Sequence, residues 1–371
     1  MRGNNVLGIV FSNMHEDLVR EITEVRAMAS VPIGGRYRLI DFILSNMVNC
    51  GINKVGVVTK SNYQSLMDHL GSGKAWDLSK KRDGLFILPP FGNSSGEFNN
   101  KIETLNSIIG FLENSKEDYV LLSDCDTICN IDFKDVISQH IKNKADLTMI
   151  YRKGHVPKNI KELVVLSLEP NGHIKDISID PNDADEYSYS FNMYLIKRDL
   201  LIKSIREASS KNKKNFKRDI LQRNVNRFRM FGYEFKGYAH TISSMSEYFA
   251  ANMEMMNPDV RAELFKSEKP IYTKVRDDMP TKYGLKSKVS NSLIANGCVI
   301  EGEVENSILF RGVYIGKGTK VSNCVIMQDS NVSDKTILKY VILDKDVIIR
   351  EERELMGFKT YPIYISKGSD I

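Results

Sequence analysis

Apolar residues in the first 260 positions alternate between short continuous runs and helical spacing, the pattern of a sheet whose strands are joined by helices. Residues 6–11 form a compact apolar run, the first buried strand. Pro32, Gly34 and Gly35 then punctuate a loop, and Leu39, Ile40, Ile43, Leu44 and Met47 are spaced for one buried face of a helix. Gly51 is placed to stop that helix, and residues 52–59 predict a buried strand. Loop, helix and strand in that order describe one turn of a parallel α/β sheet. Further along, the pattern predicts a helix over 62–70 closed by Gly71 and Gly73, and a strand over 87–91 that stops at Pro89 and Pro90. A polar loop over 93–100 and a strand over 119–126 ending in Asp124 and Asp126 follow. Residues 146–152 and 163–168 read as strands, with Asn171 and Gly172 as a hairpin turn. Residues 216–220 and 231–238 fit a helix and a strand. Tyr248, Phe249, Met253 and Met256 mark a short helix over 246–256, ended by Pro258.

The remainder follows another rhythm. Residues 257–285, with Pro258, Pro270 and Pro280, read as an extended connector between a domain at 1–256 and a second at 286–371. In the second domain, segments beginning at Asn291, Asn306, Asn323 and Lys339 copy one another at spacings of 15, 17 and 16 residues. That approximates a three-sided coil of hexapeptide repeats, which winds into a β-helix with aliphatic side chains inside. Ile315, Gly316 and Gly318 carry the local hexapeptide signature.

Composition changes this picture little. The 371 residues are 42% hydrophobic and 27% charged, with a formal charge of +5 that is spread along the chain. The one short basic run, 211–218, reads as a solvated loop or helix entry, so no nucleic-acid partner is expected. Five cysteines without a C-x-x-C pair point to free thiols in a reducing compartment. The apolar run near the start is too short for a signal or a span, so a cytoplasmic protein without membrane contact is expected.

Candidate chemistry sits at strand ends. Asp124 and Asp126 form an Asp-x-Asp where open α/β sheets place their ligands. Residues 31–59, with 74–78 and 87–91, resemble the glucose-1-phosphate adenylyltransferase (ADP-glucose pyrophosphorylase) family, and more weakly so does nearly the whole chain. The resemblance implies a Rossmann-like, GT-A-like nucleotidyltransferase domain with a mostly parallel sheet, followed by a left-handed parallel β-helix. It also implies a reaction of ATP with glucose 1-phosphate on Mg²⁺ to give ADP-glucose and pyrophosphate.

The positions where that family does its chemistry are changed. Its Gly-rich phosphate loop is replaced by residues 12–18, which contain no Gly and carry Glu16 and Asp17, so two carboxylates face the place of a phosphate. Met28 and Ala29 replace its Lys-Pro, and Met28 reads as core filler. Residues 100–104, including Lys101, are bulkier than the family's base-binding segment. Ile179, Asp180 and Pro181 stand where Glu-Lys-Pro meets the sugar phosphate, and Thr241 replaces a second metal-binding Asp. What remains of the substrate site is Gly34, Gly35, Lys60, Ser190 and Tyr194, with Asp126 as the remnant metal ligand. Mg²⁺ is implied by the family but is not expected to bind tightly.

The departures resemble the regulatory, D-type subunit of the bacterial enzyme. This implies a catalytically weak or silent chain that assembles with a catalytic subunit into a hetero-oligomer, expected as a tetramer, for glycogen synthesis. A phosphorylated metabolite is the expected effector, with Arg36, Arg38, Arg311 and Lys317 as candidate contacts. Two alternatives remain open at this point. One is an active sugar-phosphate nucleotidyltransferase. The other is a β-helix scaffold or acyltransferase, which the lack of any His beyond His240 disfavours.

Overall fold

The computed structural model describes residues 3–60, 62–80, 83–89, 100–155, 160, 162–181 and 187–371. The polar loop expected over 93–100 lies outside the described residues except for Asn100, as do Pro90 and Phe91 of the strand expected over 87–91.

A nine-stranded mixed sheet forms the first domain. Its central strand, Val6–Phe11, is buried throughout and pairs in parallel with Lys54–Val58 on one side and Tyr119–Asp124 on the other. Gly84–Leu88 continues the parallel half beyond Lys54–Val58. On the other flank, Tyr187–Lys197 runs antiparallel to Tyr119–Asp124 and to Leu147–Gly154, and Met230–Glu234 closes that side in parallel. The register of Tyr187–Lys197 slips between Ser190 and Tyr194, so the strand bulges beside the end of Tyr119–Asp124.

The helix Leu39–Asn49 buries every residue from Leu39 to Met47, more than the single face its spacing predicts. Most of its buried polar groups find partners within the protein, Asn46 Oδ1 being the exception among the described residues. The Arg38 N–H and His69 Nε2 lie 2.9 and 2.6 Å from the two Asp41 oxygens, and Asn46 Nδ2 donates to the Cys129 carbonyl at 2.9 Å. Pro258 does not merely end a helix. Asn257 caps a second one, Pro258–Leu264, with Pro258 in its first turn, so the expected extended connector is helical at its start.

The second domain is a left-handed parallel β-helix built of three five-stranded parallel sheets. It begins at Lys282–Tyr283, which pairs with Val299–Ile300, a few residues before the expected boundary. Pairing of Val325 with Ile342 makes Tyr340, not Lys339, the partner of Asn323, so the corner spacings are 15, 17 and 17 residues. The reason is backbone conformation. Asn291, Asn306, Asn323 and Tyr340 all turn the corner with positive φ, which Asn tolerates and which hides the repeat when Tyr takes its place. Strand alternation then divides labour. Leu309, Ile326 and Leu343 fill the coil interior, whereas Ile308, Val325 and Ile342 pack outward against Val31, Ile33, Leu39, Phe42 and Phe249 of the first domain. A fully buried ion pair, Arg26 to Asp344 at 2.8 Å, crosses the same junction. All five cysteines are free and buried, and among the described residues no helix is long and apolar enough to cross a membrane.

Candidate functional site

The parallel strands Val6–Phe11 and Tyr119–Asp124 end side by side, Phe11 opposite Asp124, and the chain after each supplies the site. Residues 12–19 fold back over these ends. Ser12 donates to the Val58 carbonyl from both N and Oγ, at 3.1 and 2.8 Å. Asn13 accepts the Lys60 N–H at 2.8 Å and donates to Glu16 Oε1 at 2.6 Å, which also accepts the Met28 N–H at 3.2 Å. The loop is thus latched to two neighbours. Its latching places His15, in a left-handed conformation with φ 65°, with Nε2 3.4 Å from Asp124 Oδ2 and 3.8 Å from Asp126 Oδ2.

Two lysines complete the cluster. Lys101, in the first turn of helix Lys101–Ser107, places Nζ 2.8 Å from Asp124 Oδ2 and lies over the rings of Phe11 and Tyr194. Lys217 is 6% exposed, opens the π-helix Lys217–Leu221, and donates to the Glu162 carbonyl at 2.8 Å. The expectation of a solvated basic run at 211–218 therefore fails at Lys217. Its neighbours Phe216 and Ile220 are core residues, and the π-turn carries the lysine inward with them.

Electrostatics follow from burial and these contacts. Burial alone would raise Asp124, but the Lys101 ammonium and the contact with His15 outweigh it and hold the carboxyl below its usual range. Burial pushes Asp126 up, against the opposing pull of His15. Burial also resists charging of His15, yet the contact with Asp124 and the charge of Asp126 raise its pKa. Glu16 is not the phosphate-facing anion expected. Burial pushes its carboxyl up to about 7, and its oxygen serves Asn13 and Met28.

Of the remnant substrate positions, Ser190 and Tyr194 flank the site. Ser190 Oγ accepts the Asn192 N–H at 3.2 Å, and the Tyr194 hydroxyl donates to Asn192 Oδ1 at 3.0 Å. Lys60 joins through its backbone. Gly34 and Gly35 lie elsewhere: the Gly34 N–H donates to Asn252 at 3.0 Å, and a Cβ on Gly35 would meet Ile308 and Leu309 of the β-helix. Thr241 shares a hydrogen bond with Thr127 at 2.9 Å, and the Asp180 carboxylate accepts the Leu163 N–H at 2.6 Å. Met28 is fully buried in the core, as its chemistry suggests.

Among the described residues the space left is small. The cavity lined by His15, Asp126, Ser190, Asn192 and Thr241 measures about 10 Å³, room for about one water where a nucleotide needs several hundred Å³. Mg²⁺ asks for an octahedron of oxygens at about 2.0–2.1 Å. The residues present do not fit it. Thr241 offers no charge, His15 offers nitrogen, and an ion on Asp124 would stand about 5 Å from Lys101, repelled by about 7 kcal/mol at an effective dielectric of about 20.

A second site lies at the junction of the domains. A cleft of about 320 Å³ is lined by Arg36, Arg38, Lys274, Arg276, Arg311 and Lys345, with Asp68 the one acidic residue among its lining. The expected effector residues Arg36, Arg38 and Arg311 meet here, although they are 275 positions apart at the extremes. Lys317 does not, because it occupies another corner of the coil, where it is exposed and its N–H donates to Asp334 at 2.8 Å. Lys274, Arg276 and Lys345 carried no local motif and are brought in by the connector and the last coils. Burial lowers Arg38 to about 10 despite Asp41, and burial with Arg38 and Arg26 lowers Lys345 to about 8. Arg311 already has a carboxylate partner in Asp278, Nε to Oδ2 at 3.2 Å.

Known proteins agree with this architecture. Residues 18–257 match the nucleotidyl transferase family, and residues 278–359 match the GlmU-like C-terminal hexapeptide family. The glycogen biosynthesis protein GlgD of Bacillus subtilis (strain 168) is 36% identical over 99% of this chain and 97% of its own length. GlgD of Geobacillus stearothermophilus is 40% identical over 86% of this chain and 83% of its own length. A glucose-1-phosphate adenylyltransferase of the same organism is 34% identical over 82% and 79%. The chain therefore belongs to the glucose-1-phosphate adenylyltransferase family of nucleotidyl transferases, on the side of its GlgD members.

Proposed function

We infer that this chain is a regulatory, catalytically weak or silent subunit that assembles with a catalytic glucose-1-phosphate adenylyltransferase and tunes ADP-glucose supply for glycogen synthesis. The observation that carries the reading is the acid pair at the strand ends, contacted by His15 and Lys101 over a cavity of about 10 Å³. Among the described residues a triphosphate finds neither space nor a cradle of N–H groups there, and Mg²⁺ is no resident ion of the site in this reading. The hetero-oligomer expected of such a subunit is a tetramer, and a cytoplasmic location goes with the role.

The junction cleft takes the phosphorylated effector. Six Lys and Arg side chains outnumber Asp68 in the lining and the Asp278 paired with Arg311, which suits a ligand with more than one phosphate group or with phosphate and carboxylate together. An effector there contacts both domains at once, so its binding free energy can favour one assembly state over another.

The test is direct. The purified chain with ATP, glucose 1-phosphate and Mg²⁺ should give no ADP-glucose above background. Mixed with a catalytic partner, it should form a larger species on size measurement and change that partner's response to phosphorylated metabolites. Robust synthesis by the isolated chain would refute the reading in favour of an active enzyme.

A further inference from the structure

The misfit between the acid pair and Mg²⁺ has a constructive side. The geometry points to His15 and Lys101 as built-in occupants of the metal position: the latched loop and the first turn of helix Lys101–Ser107 hold the acid pair closed with the protein's own nitrogen atoms. Removing both side chains should turn the position into a divalent-ion site that the natural chain lacks.

Three observations carry this. First, His15 pays for its placement in backbone conformation, since φ 65° is a region that glycine enters freely and other residues seldom occupy. Its side chain caps no N–H of the turn that follows, although its carbonyl accepts the Leu18 N–H at 3.2 Å. The contacts that reward the conformation are the two carboxylates, with Nε2 at 3.4 and 3.8 Å. Second, Lys101 is 7% exposed with its ammonium on Asp124 at 2.8 Å, so an otherwise expensive buried charge is spent on the same oxygen that His15 approaches. Third, Asp124 Oδ1 is buried without a hydrogen-bond partner among the described residues. It is an acceptor available to an ion once the two nitrogens are gone. His15 Nε2 and one oxygen from each carboxylate lie within 4.8 Å of one another, so removing the imidazole frees a space that both acids can reach. Lys217 stays in place, held by the Glu162 carbonyl, and it sets the charge that an incoming ion must still tolerate.

Mn²⁺ is the probe, because it takes carboxylate oxygens and its uptake is read by electron paramagnetic resonance. The full-length chain is titrated to about 1 mM Mn²⁺, the upper range for weak oxygen-ligand sites, and the readout is the part of the uptake that Asp126→Asn abolishes. The natural chain should show none. The His15→Gly, Lys101→Ala double variant should bind close to one ion per chain, lost again on adding Asp126→Asn. Should the double variant fail to fold, His15→Gly with Lys101→Met is the second arm. Glycine suits the left-handed position, and methionine keeps the length of the buried lysine without its charge, so this variant should keep its fold and gain the same Asp126-dependent uptake. Asp126-dependent binding by the natural chain overturns the inference, and so does a folded variant series with no gain.

The inference rests on the reading of the chain as a silent subunit, but the two fail separately. ADP-glucose made by the chain alone would defeat the functional reading, whereas Mn²⁺ held by the natural acid pair without turnover would defeat only this one.

Discussion

Glu16 shows how one side chain can reverse a reading of charge. As a carboxylate in the replaced phosphate loop it suggests repulsion of polyanions, yet in the fold its oxygen accepts from Asn13 and Met28 and ties the loop down. Burial raises its pKa from 4.5 to about 7. The sign for stability follows. Between these values the folded state holds a proton that the unfolded chain releases, so its contribution is fully present below 4.5 and is lost as pH rises through about 7. Glu16→Gln keeps the acceptor and removes the titration. It should leave stability at pH 5 nearly unchanged and raise it at pH 8 by about 1–2 kcal/mol, discounted for a half-buried group. Urea unfolding at the two pH values checks this. Residue-level legibility divides along the same line. Asp126 and Met28 could be placed from the sequence because a strand end and a core position announce themselves by apolar neighbours. His15, Lys101 and Lys217 could not, because a left-handed loop residue, a first-turn lysine and a lysine in a basic run carry no period. The one available signal was that Lys217 sits beside Phe216 and three positions before Ile220, both core residues.

Elements were more legible than sites. The run of strands and helices through the first domain follows from its two periodicities, and the repeat of the second domain from its copied segments. The errors fall where backbone conformation outranks side-chain pattern: the corner at Tyr340, which has the φ of its asparagine counterparts without their chemistry, and Pro258, which begins a helix because a first-turn proline loses no hydrogen bond. Glycine inside the coil makes the same point measurable. A Cβ on Gly316 would lie 2.4 Å from Asp334 Oδ1, 2.7 Å from the Asp334 nitrogen and 2.7 Å from the Ser333 carbonyl carbon. Backbone of the next coil cannot yield there without opening the stack. Gly316→Ala should therefore cost about 1–3 kcal/mol, typical of overpacking. Gly110, in the helix Ile109–Glu113, meets nothing within 4 Å. Gly110→Ala should be neutral or stabilise by up to about 1 kcal/mol through helix propensity. Thermal midpoints of the pair give the comparison, and a Gly316→Ala chain as stable as the natural one would contradict the coil packing.

At the scale of the whole molecule, the junction between domains is where sequence reading reached least and where regulation has most to act on. Arg36, Arg38 and Arg311 were recognisable as candidate anion ligands, but Lys274, Arg276 and Lys345 join them only because outward aliphatics of the β-helix seat it against Leu39 and Phe42. The buried Arg26–Asp344 pair fixes that seat, and Lys345, whose N–H donates to Asp344 Oδ1 at 2.7 Å, ties the cleft wall to it. An anion in the cleft is therefore felt by both domains. Pyrophosphate is a suitable probe, since any ligand bound only by the folded chain stabilises it, by about 2.7 kcal/mol at a hundredfold excess over Kd. The thermal midpoint should rise with pyrophosphate and fall back in high salt, and Arg38→Ala with Arg311→Ala should remove most of the rise. Lys345 sets the pH dependence. Its ammonium titrates near 8, lowered by burial and by Arg38 and Arg26. A bound anion favours the charged form, so affinity should hold below pH 8 and weaken above it by at most about tenfold per pH unit. Lys345→Arg should keep the binding and move that decline to higher pH. A pyrophosphate response that ignores pH and survives loss of both arginines would place the anion outside the cleft, and the effector reading of the junction would fall with it.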